Sequence, residues 1–93
     1  MIKREVAETV AVQALTWMVS ETEVLQIFLN ETGASAQDLK EGIKEPEFLA
    51  SVLDFLMLDD DVVIACCSAL NLPNDSLLRA RISLPGGFVP DWT

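Results

Sequence analysis

Apolar residues recur at steps of three and four along most of the chain and almost nowhere alternate strictly with polar ones, the spacing of helices rather than strands. Val6, Val10, Ala14, Trp17 and Met18 predict an amphipathic helix over Lys3–Val19. Glu5 and Glu8 suit the positive end of its macrodipole, while Lys3 and Arg4 run against it. Ser20 with Glu23 makes a capping-box pattern in front of Val24-Leu25 and Ile27-Phe28-Leu29, predicting a second helix over about Glu21–Thr32. Gly33 ends it, because glycine closes a helix in the left-handed conformation without steric cost. Ser35, with Asp38 three residues on, opens a short third helix carrying Leu39 and Ile43.

Pro46 stands where a fourth helix would begin, at the one helical position that needs no N–H. Phe48, Leu49, Val52, Leu53, Phe55 and Leu56 give that helix a broad apolar face. Asp59, Asp60 and Asp61 then precede Val62-Val63-Ile64-Ala65-Cys66-Cys67, a run apolar nearly all round, which predicts the most buried helix of the set. Pro73 or Asn74 opens a sixth, short helix through Leu77, Leu78 and Ile82, and Pro85-Gly86-Gly87 closes it. The expected class is therefore all-α, a compact six-helix bundle forming one domain over residues 1–93.

A shift of 38 positions lays Val10–Leu39 over Phe48–Leu77. Of the 16 apolar positions in the first window, 15 are apolar in the second, where chance gives about ten. Trp17 falls on Phe55, Glu21 on Asp59, and Gly33 on Asn71, the next-best residue for a left-handed stop. Only Leu15/Leu53, Val24/Val62 and Leu39/Leu77 are identical, so the likeness lies in pattern. It predicts two pseudo-twofold-related three-helix units, about 6–43 and 44–84, with a tail over 85–93. Lys40, Lys44, Arg79 and Arg81, four of the six basic residues, would lie on the two third helices. Trp17 and Phe55 are expected in the core, and Asp54, like its counterpart Thr16, facing solvent.

With these segments placed, the chain resembles a family of short, uncharacterised bacterial proteins, a domain of unknown function. The resemblance runs from Glu5 to Leu84 and rests on Phe48-Leu49-Ala50-Ser51-Val52-Leu53-Asp54-Phe55-Leu56, Ala14-Leu15, and Phe28-Leu29 leading into Gly33. Asn71-Leu72-Pro73 departs from the glycine that such proteins tend to show there. The resemblance implies a compact helical fold and no particular activity, substrate or partner.

Composition narrows the chemistry. Hydrophobic residues make up 51% of the chain and mean hydropathy is +0.33, an excess that wide buried helix faces, a partner or a second copy would have to cover. Fifteen acidic against six basic residues give a charge of −9, which disfavours nucleic acid and anionic membrane surfaces. The uncharged stretch Val62–Asn74 is too short to span a bilayer, and Glu5 and Glu8 interrupt any secretory signal, so a cytoplasmic location is the expectation. Histidine and tyrosine are both absent, which removes the commonest general base and most zinc sites, and no glycine-rich phosphate loop occurs.

Cys66 and Cys67 diverge around a helix and read as two small buried hydrophobes. Asp59, Asp60 and Asp61 read as helix-start residues, lacking the alternating spacing of a calcium loop. Asp75-Ser76-Leu77 looks like the attachment triplet of acyl carrier proteins, but there the serine opens an early helix, whereas only 17 residues follow Ser76 here. No catalytic, cofactor or metal residues are expected, and the chain reads as a non-enzyme. Phe88 and Trp92, on a tail with two prolines, either pack back onto the bundle, within the chain or across a dimer, or wait for a partner, and in the second case they are the candidate partner-docking residues. The expected function is an acidic, non-enzymatic interaction or regulatory module that docks another protein through a groove between helices or through this tail. The alternative is a structural subunit that associates with its own copy.

Overall fold

The computed structural model describes residues 4–84. Among them lie six α-helices and no strand: α1 (Arg4–Ser20), α2 (Thr22–Thr32), α3 (Ala36–Gly42), α4 (Pro46–Leu56), α5 (Asp60–Leu70) and α6 (Ser76–Ser83). The helical class and the order of elements agree with the periodicity.

Helix ends follow local chemistry in most places. Gly33 closes α2 at φ 73°, its N–H donating to the Leu29 carbonyl, and Asn71 closes α5 in the same left-handed region at φ 58°. Ser35 and Asp38 form a reciprocal capping box: the Asp38 N–H donates to Ser35 Oγ at 3.2 Å, and the Ser35 N–H to Asp38 Oδ2 at 2.9 Å. Asp59 Oδ1 accepts the Asp61 N–H at 2.9 Å, and Asp60 and Asp61 fill the first turn of α5, as the helix-start reading of these acids expects.

One cap is corrected. Ser20 ends α1 instead of opening α2; its hydroxyl donates to the Trp17 carbonyl at 2.6 Å, and the N-cap of α2 is Glu21, without a side-chain cap. A hydroxyl one residue early can still bond back into the helix it follows, and that contact competes with capping. The sixth helix also starts later than expected, at Ser76, because the Ser76 N–H is spent on a turn to the Pro73 carbonyl at 3.0 Å.

The buried side chains form one cluster drawn from all six helices. Its axis is α1, which buries Ala7, Val10, Ala11, Ala14, Leu15 and Met18 at helical spacing and packs against α2, α4, α5 and, most extensively, α6. Val6, expected on that face, is exposed. Opposite α1, α4 buries Leu49, Ala50, Val52, Leu53 and Leu56. Phe28 of α2 is completely buried and meets Phe48 and Phe55 edge-on, with ring centroids 6.1 and 5.1 Å apart. Trp17 and Phe55 are partly buried against the cluster instead of lying fully inside it.

The expectation that the fifth helix is the most buried is overturned. Only Cys66 and Cys67 of α5 are buried, and Ile64 is exposed. Apolar residues all round a helix can be buried only if neighbours surround it, and α5 packs mainly on α1 and α6.

Residues 38 apart occupy similar local settings. The bounds of α2 shifted by 38 give those of α5 (22 + 38 = 60, 32 + 38 = 70), and the left-handed stops Gly33 and Asn71 stand in the same relation. Packing is less even: α6 lies extensively on α1, whereas its counterpart α3 makes a smaller contact with α4.

Candidate functional site

Three helices leave an open apolar groove between them. α1 supplies Leu15, Thr16 and Val19, α2 supplies Leu25 and Leu29, and α3 with its C-terminal residue supplies Ala36, Leu39, Lys40 and Ile43. The groove has a volume of about 350 Å³. α2 and α3 are joined by only Gly33, Ala34 and Ser35, with Gly33 left-handed, and both helices line the groove beside the C-terminal half of α1. Its floor is the outer side of the core: Leu15 and Leu39 are buried, Leu25 and Leu29 partly so, while Val19 and Ile43 stand on the rim, 47% and 39% exposed. The Thr16 hydroxyl donates to the Val12 carbonyl at 2.9 Å and is already spent within α1. Lys40 is the one charged side chain in the lining.

Met57, Val63, Asn74 and Leu78, 38 positions beyond Val19, Leu25, Ala36 and Lys40, line another open cleft, of about 390 Å³, together with Asp60 and Asp75. Positions 54 and 81 lie 38 beyond Thr16 and Ile43, and they hold an ion pair: Arg81 Nε donates to Asp54 Oδ1 at 2.7 Å, joining α6 to α4. The Arg81 side chain is largely buried, with 14% of its surface exposed, and Nη1 is buried without an acceptor. Asp54 is exposed, as expected, but is not idle.

Other candidates group less well. A cleft of about 620 Å³ beside α3 carries Asp38, Glu41 and Glu45 near Phe48, yet Asp38 is used in the α3 cap and Glu41 accepts from Gln37 Nε2 at 3.1 Å. Val24, Ile27, Phe55, Leu58 and Val62 line a smaller cleft between α2 and the α4–α5 turn, where Leu58 is 82% exposed. Cys66 and Cys67 are free and fully buried, as expected. Burial, with a smaller contribution from Cys67, pushes the Cys66 thiol up to about 11, and burial also raises Cys67 despite a lowering hydrogen bond from the Leu77 backbone. Neither is a poised nucleophile. Among the described residues no group of His, Cys, Asp and Glu side chains is placed to hold a metal ion.

Phe88 and Trp92 lie outside the described residues. Of the four basic residues expected on the third helices, Lys40, Arg79 and Arg81 lie there, and Lys44 falls just beyond α3. The groove could be named from sequence only as "between helices"; its walls come from three separate segments, and nothing in their spacing says that these residues meet.

A family model described as "Protein of unknown function (DUF3572)" matches residues 4–87. No curated protein matches the chain, and no solved structure does.

Proposed function

Because the chain belongs to this family of proteins of unknown function, DUF3572, the groove carries the functional reading, and we propose that the protein is a non-enzymatic interaction or regulatory module whose α1–α2–α3 groove receives apolar side chains of another protein's helix. The observation behind it is the groove itself: an open, apolar trough walled by three helices, with exposed Val19 and Ile43 on its rim. The absence of histidine and tyrosine from the sequence, and the raised thiols, support a role other than catalysis. No described helix is long and apolar enough to cross a membrane, which accords with the cytoplasmic location proposed with this role.

The test is affinity capture from the native cell with three baits: the unaltered chain, Val19→Gln, and Leu78→Gln on α6 outside the groove. Both substitutions replace exposed residues with a good helix former, so all three baits fold. A protein held by the first and third but lost by the second is the expected result. A set of captured proteins indifferent to Val19→Gln overturns it.

A second reading, self-association, is favoured by Leu58 and Ile27, which expose 82% and 54% of their surface in one cleft. Light scattering decides it: a dimer that dissociates on Leu58→Lys supports association through this face, and a monomer at all concentrations removes it.

A further inference from the structure

We propose that the cleft between α2 and the α4–α5 turn is a second docking surface, and that its occupant is a basic amphipathic helix of another protein. One apolar residue of that helix sits among Ile27, Phe55 and Leu58, with lysines or arginines on its flanks. The proposal is independent of the α1–α2–α3 groove.

Two observations meet at this cleft. The first is apolar surface. Val24, Phe55 and Val62 are its partly buried lining, while Ile27 and Leu58 are exposed beside them, and Leu58 is the most exposed large apolar side chain among the described residues. The Leu58 N–H donates to the Phe55 carbonyl at 3.1 Å, so the end of α4 holds this residue in place. At about 180 Å³ the cleft suits the single apolar anchor that one turn of a helix presents.

The second is the segregation of charge. All six lysines and arginines fall at positions 3–4, 40–44 and 79–81; none lies between Glu5 and Leu39 or between Glu45 and Leu78. Helices α2, α4 and α5 therefore carry acids and no base. Glu23, Ile27 and Glu31 follow at four-residue steps along one face of α2, which puts a carboxylate one turn to either side of Ile27. Glu31 and Asp59 line the cleft itself. Glu23, Glu31 and Asp59 are all exposed, and among the described residues none of them is in an ion pair.

A lone surface carboxylate is satisfied by water. Several of one sign around an apolar contact, with no base among them, add to a field that selects between occupants. A second copy of this chain meeting the cleft face to face would set Glu31 and Asp59 against the same acids. A basic segment is drawn in, pairs at the rim, and can lay the aliphatic stems of its lysines over Ile27 and Leu58. Charge thus favours a basic partner on the face that the second reading above gives to self-association.

The test is a displayed library of amphipathic helices, apolar on one stripe and randomised on the flanks, selected on the full chain. Selected peptides are then measured on two variants by fluorescence anisotropy. Leu58→Gln removes the apolar anchor at constant charge, and Glu23→Gln with Glu31→Gln removes charge at nearly constant shape; all three residues are exposed, so both variants fold. Lysine and arginine should be enriched on the flanks. Binding should weaken about tenfold on Leu58→Gln and about three- to tenfold on the double variant, the second loss shrinking as salt rises. Absence of any binder weakened by Leu58→Gln overturns the proposal, because charge alone then holds whatever is selected. Leu58-dependent binders with neutral or acidic flanks overturn the basic occupant. Binders lost on Val19→Gln and indifferent to Leu58→Gln sit in the α1–α2–α3 groove, which overturns this surface and leaves the proposed function standing. A dimer of the chain that dissociates on Leu58→Gln makes the occupant a second copy and also overturns it.

Discussion

Arg81 donates its Nε hydrogen to Asp54 Oδ1 at 2.7 Å, while its Nη1 is buried with no acceptor at all. The two ends of this pair are therefore unequal. The Asp54 side chain is 53% exposed and can return to water; that of Arg81, 14% exposed, cannot. Asp54→Ala is expected to destabilise by about 1–2 kcal/mol by leaving a buried cation unpaired, whereas Arg81→Met, which removes the orphaned donor and keeps the aliphatic stem, should cost less than about 1 kcal/mol. Urea unfolding of both variants measures the difference, and equal losses would contradict it.

Gly42 packs its bare α-carbon against the Phe48 ring: a β-carbon built there would run into the side chain of Phe48. Gly42→Ala should cost about 1–3 kcal/mol through displacement of Phe48 and its edge-on contact with Phe28. Gly33→Ala meets no such obstruction, but its φ of 73° penalises any side chain by about 1 kcal/mol. Thermal melting of the two variants should rank Gly42→Ala below Gly33→Ala.

Phe28, completely buried between two other rings, is the largest fully buried side chain among the described residues. Phe28→Ala should cost about 3–5 kcal/mol, a large fraction of the stability of a domain this small. Loss of the cooperative transition in chemical denaturation is the expected reading.

Glu21, the N-cap of α2, makes no side-chain capping bond. Glu21→Ser should stabilise the chain by about 0.5–1 kcal/mol by supplying an acceptor for an orphan N–H of the first turn. Glu21→Ala should change little, since no capping bond is there to lose.

The thiols give a pH dependence. Cys66 titrates near 11 in the folded chain against an ordinary 9.0, so unfolding favours its ionised form. The stabilisation from keeping it neutral is whole below about pH 9 and is lost as the pH rises through about 11, in the same direction for Cys67. Iodoacetamide at pH 8 should leave both thiols of the folded chain unmodified and alkylate both in denaturant.

Where a feature is set within one turn of helix, the sequence was enough to read it. The Ser35–Asp38 box, proline at the head of α4, and left-handed stops at Gly33 and Asn71 all depend on neighbours within four residues. Ser20 misled because its hydroxyl had two local uses and the sequence does not rank them. Burial of α5 misled for another reason: Val62–Cys67 states what the helix could bury, and only the positions of the other five helices decide what it does bury. The groove and the Asp54–Arg81 pair are of that second kind. Asp54 was legible as exposed, but its partner stands 27 residues away, and nothing in the period of α4 points to it.

The place of α1 sets the order of assembly. Its most extensive neighbour, α6, begins 56 residues after α1 ends (76 − 20), so closing the core means bringing distant segments together against chain entropy. During synthesis the apolar stripe of α1 emerges first and must wait for the sixth helix before it is fully covered. Until then the nascent chain carries an exposed Ala-, Leu- and Met-lined strip, and that interval, rather than the finished fold, is when it is most open to aggregation or to a chaperone.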